Sequence, residues 1–281
     1  MDIELLGPLA VRVGGRVVTP SAGKARKVFT LLAVHAGEVV PIPALQEELW
    51  GDKVPRSAAT TLQTYVFHLR GLIGEALRAA PAGSVRDPKD VLVTHPGGYL
   101  LDTRGGTVDV TDFERLTAAG HRAREAGDYA LASRRFTEAL ALWKGPALLD
   151  VRCGPVLEVE AERLAEARLN ALDRRIDADL RLGRHHELLG ELTALVARNR
   201  THEGLCAHMM LALYRSGRRG EAIDTYRRLR GALVGDLGLE PSPALHQLQR
   251  MILSADPRLA EQSPVRQGAP ERRPARLAHV G

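Results

Sequence analysis

Two cysteines, Cys153 and Cys206, are all that 281 residues contain. They stand far apart and match no metal-ligand or redox spacing, so free reduced thiols are expected rather than a disulfide framework. Aromatic residues are also scarce at 4%, while 44% of the chain is hydrophobic and rich in Leu and Ala, a balance that favours packed helices. No apolar run approaches the roughly 20 residues of a membrane span. Asp2 and Glu4 occupy positions where a secretory signal would be basic, so a cytoplasmic protein with no membrane partner is expected. Phosphate-binding G-x-x-x-x-G-K-[ST] loops and nucleophile elbows are missing. The ten histidines make no ligand set: His185-His186-Glu187 lacks the H-E-x-x-H spacing, and His202 and His208, six apart, fall on different helical faces. No enzyme, no metal and no cofactor is therefore expected.

What is present is a helix-turn-helix pattern. IPALQEELWGD, from Ile42, reads as a short helix closed by Trp50-Gly51, and RSAATTLQTYVFHLRGLIG, from Arg56, reads as a longer one. VLVTHPGGYLLD then reads as a tight hairpin about Pro96-Gly97-Gly98. Helix, turn, long helix and hairpin is the order of a winged helix-turn-helix, whose second helix can enter a DNA major groove. In the long helix Ala58, Leu62, Val66, Leu69 and Ile73 recur at helical spacing and make one apolar stripe. The opposite face carries Ser57, Thr60, Thr64, Phe67 and Gly71, flanked by Arg56, Thr61, Gln63, His68 and Arg70. That face is polar and free of acid, as contact with phosphates and base edges requires. Gln63 and His68 can hydrogen-bond bases, and the Thr methyls or Phe67 can touch thymine methyls. Phe67 has a second reading, packing under the wing or against another domain.

At 281 residues the chain should hold two domains. The net charge of +5 is spread thinly: residues 1–106 carry 12 basic against 10 acidic residues, and 107–253 carry 22 against 21. Nucleic-acid binding would thus depend on where charges sit rather than on their total. Lys24, Arg26 and Lys27 open an amphipathic helix, KARKVFTLLAVHAG, with Ala25, Val28, Phe29, Leu32 and Ala36 inside and Gly37 as its cap. These three cations read either as phosphate contacts or as solvated charge. Ahead of them, Ile3 to Leu6, Leu9 to Val13 and Arg16 to Val18 are β-prone, with Gly14-Gly15 as a hairpin turn. Strands before the helices, in addition to the wing, indicate an OmpR-type winged helix over residues 1–104.

From Thr107 to about residue 253 the pattern is almost wholly helical, with Thr111 and Glu114 fitting a capping box. Gly127 is followed at +5, +9 and +12 by Ala132, Phe136 and Ala139; Gly183 by Leu188, Leu192 and Leu195; and Gly217 by Ala222, Tyr226 and Leu229. Gly183 and Gly217 are 34 residues apart, the tetratricopeptide period, whereas 56 residues separate the first pair because a segment around Lys144 to Pro155 interrupts the array. The expected architecture is mostly α: a winged helix with a small β-sheet and wing hairpin, then an all-α tetratricopeptide-like domain that offers a protein-binding surface. Residues 254–281, rich in Pro, Arg and Gln, read as a disordered tail.

The chain resembles the SARP family, the Streptomyces antibiotic regulatory proteins. The resemblance rests on ELLGPLAVRVGG, KARKVFTLLAVHAGEVV, ELWGD, TTLQTYVFHLR, PGGYLL, DFERL, FTEALALWKGPALLD, the run from Glu160 to Leu192 and GDLGLEPSPAL, and covers about residues 1–253. It implies a winged helix joined to a bacterial transcriptional activation domain, acting as an activator of a secondary-metabolite gene cluster. It further implies a homodimer on double-stranded promoter DNA, at direct repeats near the −35 element, and recruitment of RNA polymerase through its sigma factor. Carried over by position, Thr61 to Arg70 would form the recognition segment and Thr94 to Gly98, with Thr94, His95, Gly97 and Gly98, the wing. Two departures stand out: Ile42-Pro43 lacks a hydroxyl or acidic N-cap, and Thr94-His95 replaces a common basic residue. Larger relatives append ATPase and sensor modules, so no nucleotide-driven switch is expected here. The alternative is a repeat scaffold whose winged helix is a protein interface rather than a specific DNA reader.

Overall fold

The computed structural model describes residues 1–79, 87–103 and 105–259. Packing divides the chain into two compact units, Met1–Arg175 and the described residues from Ile176 onward. The expected module boundary at 104–107 thus lies inside the first unit. The tail expected from 254 lies, for residues 260–281, outside the described residues.

The first unit opens with three short antiparallel strands, β1 (Asp2–Glu4), β2 (Ala10–Val13) and β3 (Arg16–Val17), in that order across the sheet. Ile3, Val11 and Val13 alternate into the core. Helix α1 (Gly23–Val34) buries Ala25, Val28, Phe29 and Leu32 as its spacing predicts. It ends before Ala36, which is only half-buried, and Gly37 lies beyond the cap with its N–H donated to the Leu101 carbonyl. Strand β4 (Val39–Pro41) and helices α2 (Ile42–Trp50), α3 (Ala58–Arg78) and α4 (Pro88–Val91) follow, then β5 (Leu92–His95) and β6 (Gly98–Leu101). The second sheet has the order β4-β6-β5, so the wing hairpin is backed by a third strand that the sequence did not announce. All five residues of the α3 stripe are buried; burying each of Leu62, Val66, Leu69 and Ile73 is worth about 1.5–3 kcal/mol.

Helices α5 (Asp109–Glu125) and α6 (Tyr129–Leu140) pack as an antiparallel pair against each other, with Phe136 fully buried beneath Gly120. The capping box does not form. Helix α5 starts three residues earlier than the box predicts, at Asp109, with Val108 at the cap and no side-chain cap bond, which leaves Thr111 inside the first turn. Long-range anchors set that entry: the Asp109 carboxylate accepts the Leu5 and Leu6 amides at 2.8–2.9 Å, and the Ile3 amide donates to the Thr107 carbonyl at 2.8 Å.

The interrupting segment, residues 141–154, is irregular and is bound to the loop that joins β1 to β2. Amides of Lys144, Leu148 and Leu149 donate to the carbonyls of Leu6, Leu5 and Gly7, and the Leu9 amide donates to Asp150 at 2.7 Å. Trp143 stacks edge-on against Phe113 at 5.4 Å, under the Arg168 guanidinium. Helix α7 (Pro155–Arg181) then runs 27 residues, so α6, the segment and this long helix fill the 56-residue interval between Gly127 and Gly183.

Helices α8 (His185–Arg198), α9 (Glu203–Arg215), α10 (Arg219–Ala232) and α11 (Pro243–Leu253) build the second unit, with a π turn at Leu233–Leu237. The three glycines singled out by the repeat each end a helix in the left-handed region, at φ 78°, 78° and 76° for Gly127, Gly183 and Gly217. Their spaced partners are buried, Leu195 excepted, which is half-buried. Ser242 caps α11, and the Glu203 carboxylate accepts the Ser242 amide. The chain stays packed past the expected start of the tail: Pro257–Leu259 is a short 3-10 turn, Leu259 is buried, and its carbonyl accepts from Arg215 at 3.0 Å.

Candidate nucleic-acid interface

The winged helix presents α3 through the turn after α2. Gly51 ends α2, its amide donating to the Glu47 carbonyl at 2.7 Å, and residues 52–57 form an exposed turn into α3. The start of α2 explains its missing N-cap: the Ile42 amide donates to the Gly97 carbonyl at 2.9 Å, so a residue of the wing turn satisfies an orphan donor of the helix.

Along α3 the two faces separate as the spacing requires. Arg56, Thr60, Gln63, Thr64, Phe67 and His68 are exposed, and Thr61 and Arg70 are half-buried. Phe67 is 73% exposed and tilts against His68 at 6.1 Å, so it does not pack beneath the wing. A single exposed ring is common on protein surfaces and by itself identifies no partner. The Thr64 hydroxyl donates back to the Thr60 carbonyl at 3.0 Å, which leaves its methyl and its acceptor lone pairs for contact. No carboxylate lies on α3 until Glu75.

Other candidates are engaged elsewhere. Arg70 donates to the Leu92 carbonyl at 2.7 and 3.0 Å and to the Thr94 hydroxyl at 2.7 Å, so these two residues fasten α3 to β5. Gly98 is buried, and a Cβ there would come within 2.5 Å of the Val40 carbonyl; it serves the close approach of β6 to β4, not the wing tip. His95 and Gly97 are exposed with Pro96 at the turn. Arg26 pairs with Asp150 and also donates to the Pro20 carbonyl at 3.1 Å. Lys27 lies 3.7 Å from the buried Glu48 carboxylate. Both therefore hold α1 to neighbouring segments, and of the three cations only Lys24 is exposed, 5.2 Å over the Trp50 ring.

Two exposed cations were missed: Lys53 in the turn before α3 and Lys89 in α4, next to the wing. Their position flanking the helix-turn-helix and the hairpin was the available signal. Glu48 was also passed over. It is 1% exposed, and its carboxylate accepts the Gly154 amide at 2.5 Å and the Leu157 amide at 2.8 Å, which caps the N-terminus of α7 from α2.

Comparison with known proteins agrees with this architecture. Residues 108–253 match the bacterial transcriptional activator domain. The chain is 51% identical over 264 residues to the regulatory protein DnrI of Streptomyces peucetius, covering 94% of this chain and 96% of that protein. It is 37% identical over 262 residues to the regulatory protein AfsR of Streptomyces coelicolor, where 92% of this chain matches 25% of the longer relative. The solved structure of Mycobacterium tuberculosis EmbR in complex with a low affinity phosphopeptide superposes with a TM-score of 0.82 at 33% identity, over 94% of this chain and 66% of that one. With the winged helix, the glycine-punctuated helical repeats and these matches in hand, the chain belongs to the SARP family of transcriptional regulators.

Proposed function

We propose that the protein is a sequence-specific DNA-binding activator of a secondary-metabolite gene cluster, with α3 in the major groove and the wing on the adjacent backbone or minor groove. The observation that carries this is the acid-free outer face of α3, where Thr60, Gln63, Thr64, Phe67 and His68 are exposed together. These residues combine base-edge donors and acceptors with apolar groups for thymine methyls. Arg56, Lys53, Lys24 and Lys89 are the phosphate contacts of this reading, and Arg70 with Thr94 orients the wing rather than touching DNA. Two copies on direct repeats one helical turn apart would meet the same face of the duplex. The helical region from residue 107 onward is then free to engage RNA polymerase. Support comes from relatives named as regulatory and transcriptional regulatory proteins.

The test is binding of the purified chain to promoter fragments from its own gene neighbourhood against a scrambled duplex. A preference of about 10³ or more is expected for one fragment. Gln63→Ala and Thr64→Glu should lose that preference with helix content unchanged. Equal affinity of the unaltered protein for both duplexes would refute specific reading; retained preference in both variants would remove α3 as the reader.

A further inference from the structure

In the second unit α8, α9, α10 and the π turn frame a half-open groove of about 700 Å³. Its floor is apolar, with Val196 from α8, Met209 from α9, and Leu229 and Ala232 from α10; the last three are buried among core residues. Its charged lining is unequal: Arg200, Arg227 and Arg228 face a single carboxylate, Asp236. Arg227 is neutralised by Asp224 at 3.0 Å. Among the described residues neither Arg200 nor Arg228 forms a direct ion pair, although Glu221 lies within electrostatic reach of Arg228; with Asp236 as the one acid of the lining, the groove keeps an excess of positive charge beside its apolar floor.

Arg228 is also held in place. Its Nη2 donates to the Thr225 hydroxyl at 3.0 Å, and that hydroxyl, on a buried residue, donates to the Glu221 carbonyl at 2.8 Å. A guanidinium fixed in this way loses less freedom when it meets a carboxylate, which it can bind with two parallel hydrogen bonds. The volume lies within the range of small-molecule sites. The exposed apolar side chains of this unit, Val234, Leu237, Leu239 and Leu253, are not part of the lining, so the apolar floor does not continue into a longer stripe that would seat a peptide helix.

We propose that this groove binds a small amphipathic carboxylate, its apolar body on Met209, Leu229 and Ala232 and its anionic head on Arg200 and Arg228. Such a site adds a small-molecule ligand to a protein otherwise read through DNA and polymerase. The probe is decanoate, with decanol as its uncharged counterpart, titrated calorimetrically into the full chain. Decanoate should bind with a dissociation constant below about 1 mM, and decanol at least about tenfold more weakly. The double variant Arg200→Glu/Arg228→Glu should weaken decanoate by about tenfold or more, since both changed residues are exposed and leave the core untouched. Ala197→Trp, at an exposed lining position, should abolish binding by filling the groove, with the circular dichroism of both variants unchanged. The proposal is overturned by any one of four results. These are no binding of decanoate at that concentration, equal affinity for decanol, unchanged affinity in both variants, or binding of an acidic amphipathic peptide where decanoate fails.

Discussion

Replacing Glu48 by alanine should destabilise the first unit far more than an ordinary helix-surface change. The side chain is 1% exposed and accepts two amides, Gly154 at 2.5 Å and Leu157 at 2.8 Å. Pro155 has no N–H to give, so Glu48 takes two of the three free amide donors in the first turn of α7, those of Gly154 and Leu157, and leaves that of half-buried Val156. Each orphaned buried N–H costs about 1–3 kcal/mol. The lost interaction with the helix dipole adds about 0.3–1 kcal/mol. Release of Lys27, 3.7 Å away, from a buried anion offsets part of the total. A loss of about 3 kcal/mol is the expected net, in line with what removing one partner of a buried charged pair costs. For a unit of this size that is about 6–12 °C in melting temperature, read by differential scanning calorimetry. The transition of the second unit should stay where it was. Glu48→Gln should lose roughly half as much, because the amide oxygen still accepts one N–H while its NH₂ group opposes the other. Exposed Glu47→Ala is the control, with a change within about 0.5 kcal/mol. A Glu48→Ala shift no larger than that of the control would refute the capping role.

Three further outcomes are expected. Burial pushes the Cys206 thiol up to about 12 and also raises that of half-buried Cys153. A disulfide reagent at neutral pH should therefore leave Cys206 unlabelled until denaturant is added, and fast labelling of two thiols in the native protein would contradict its burial. Acid should weaken the first unit: the Thr107 bonds to Asp2 and the Lys144 bond to Glu4 lower those carboxylates, and Asp150 is lowered because the Leu9 amide and Arg26 outweigh its burial. Folded values below unfolded ones mean a contribution present above about pH 4–4.5 that is lost as pH falls through the folded values. Asp109, raised by burial, works in the opposite sense, and Asp150→Asn should flatten the acid limb of the stability curve. Gly217→Ala, at φ 76° with open space around its Cα, should cost about 1 kcal/mol in the second unit through backbone strain alone; an unchanged melting temperature would argue against the left-handed turn.

How much of this was legible in the sequence depends on the range of the interaction. The α3 stripe and its polar outer face came from a 3.6-residue period, and the three helix-ending glycines from a repeated local pattern, so both survived folding unchanged. Strand β4 did not show because three residues ending in Pro41 carry no alternation that a reader can detect. Arg26 and Lys27 looked like DNA contacts because their partners are elsewhere: Asp150 is 124 residues away, and Glu48 looked like any surface acid on α2. The Thr111 box failed for the same reason, since Asp109 is fixed by the Leu5 and Leu6 amides, just past β1 and more than 100 residues earlier. Gly98 was read as turn chemistry, whereas the approach of Val40 demands it.

The commitment of Arg70, Arg26 and Lys27 to internal partners has a thermodynamic consequence. Few free cations remain around α3 and the wing, chiefly Lys24, Lys53, Arg56 and Lys89. On the proposed reading these four would neutralise at most about four phosphates per copy and release few counterions, at a slope of about −0.9 in log affinity against log salt for each. A single copy would then grip any duplex weakly and discriminate through base edges and stacked apolar groups instead. On that reading non-specific occupancy of the chromosome would stay low, and a tandem site would double a small electrostatic term while adding two full sets of base contacts.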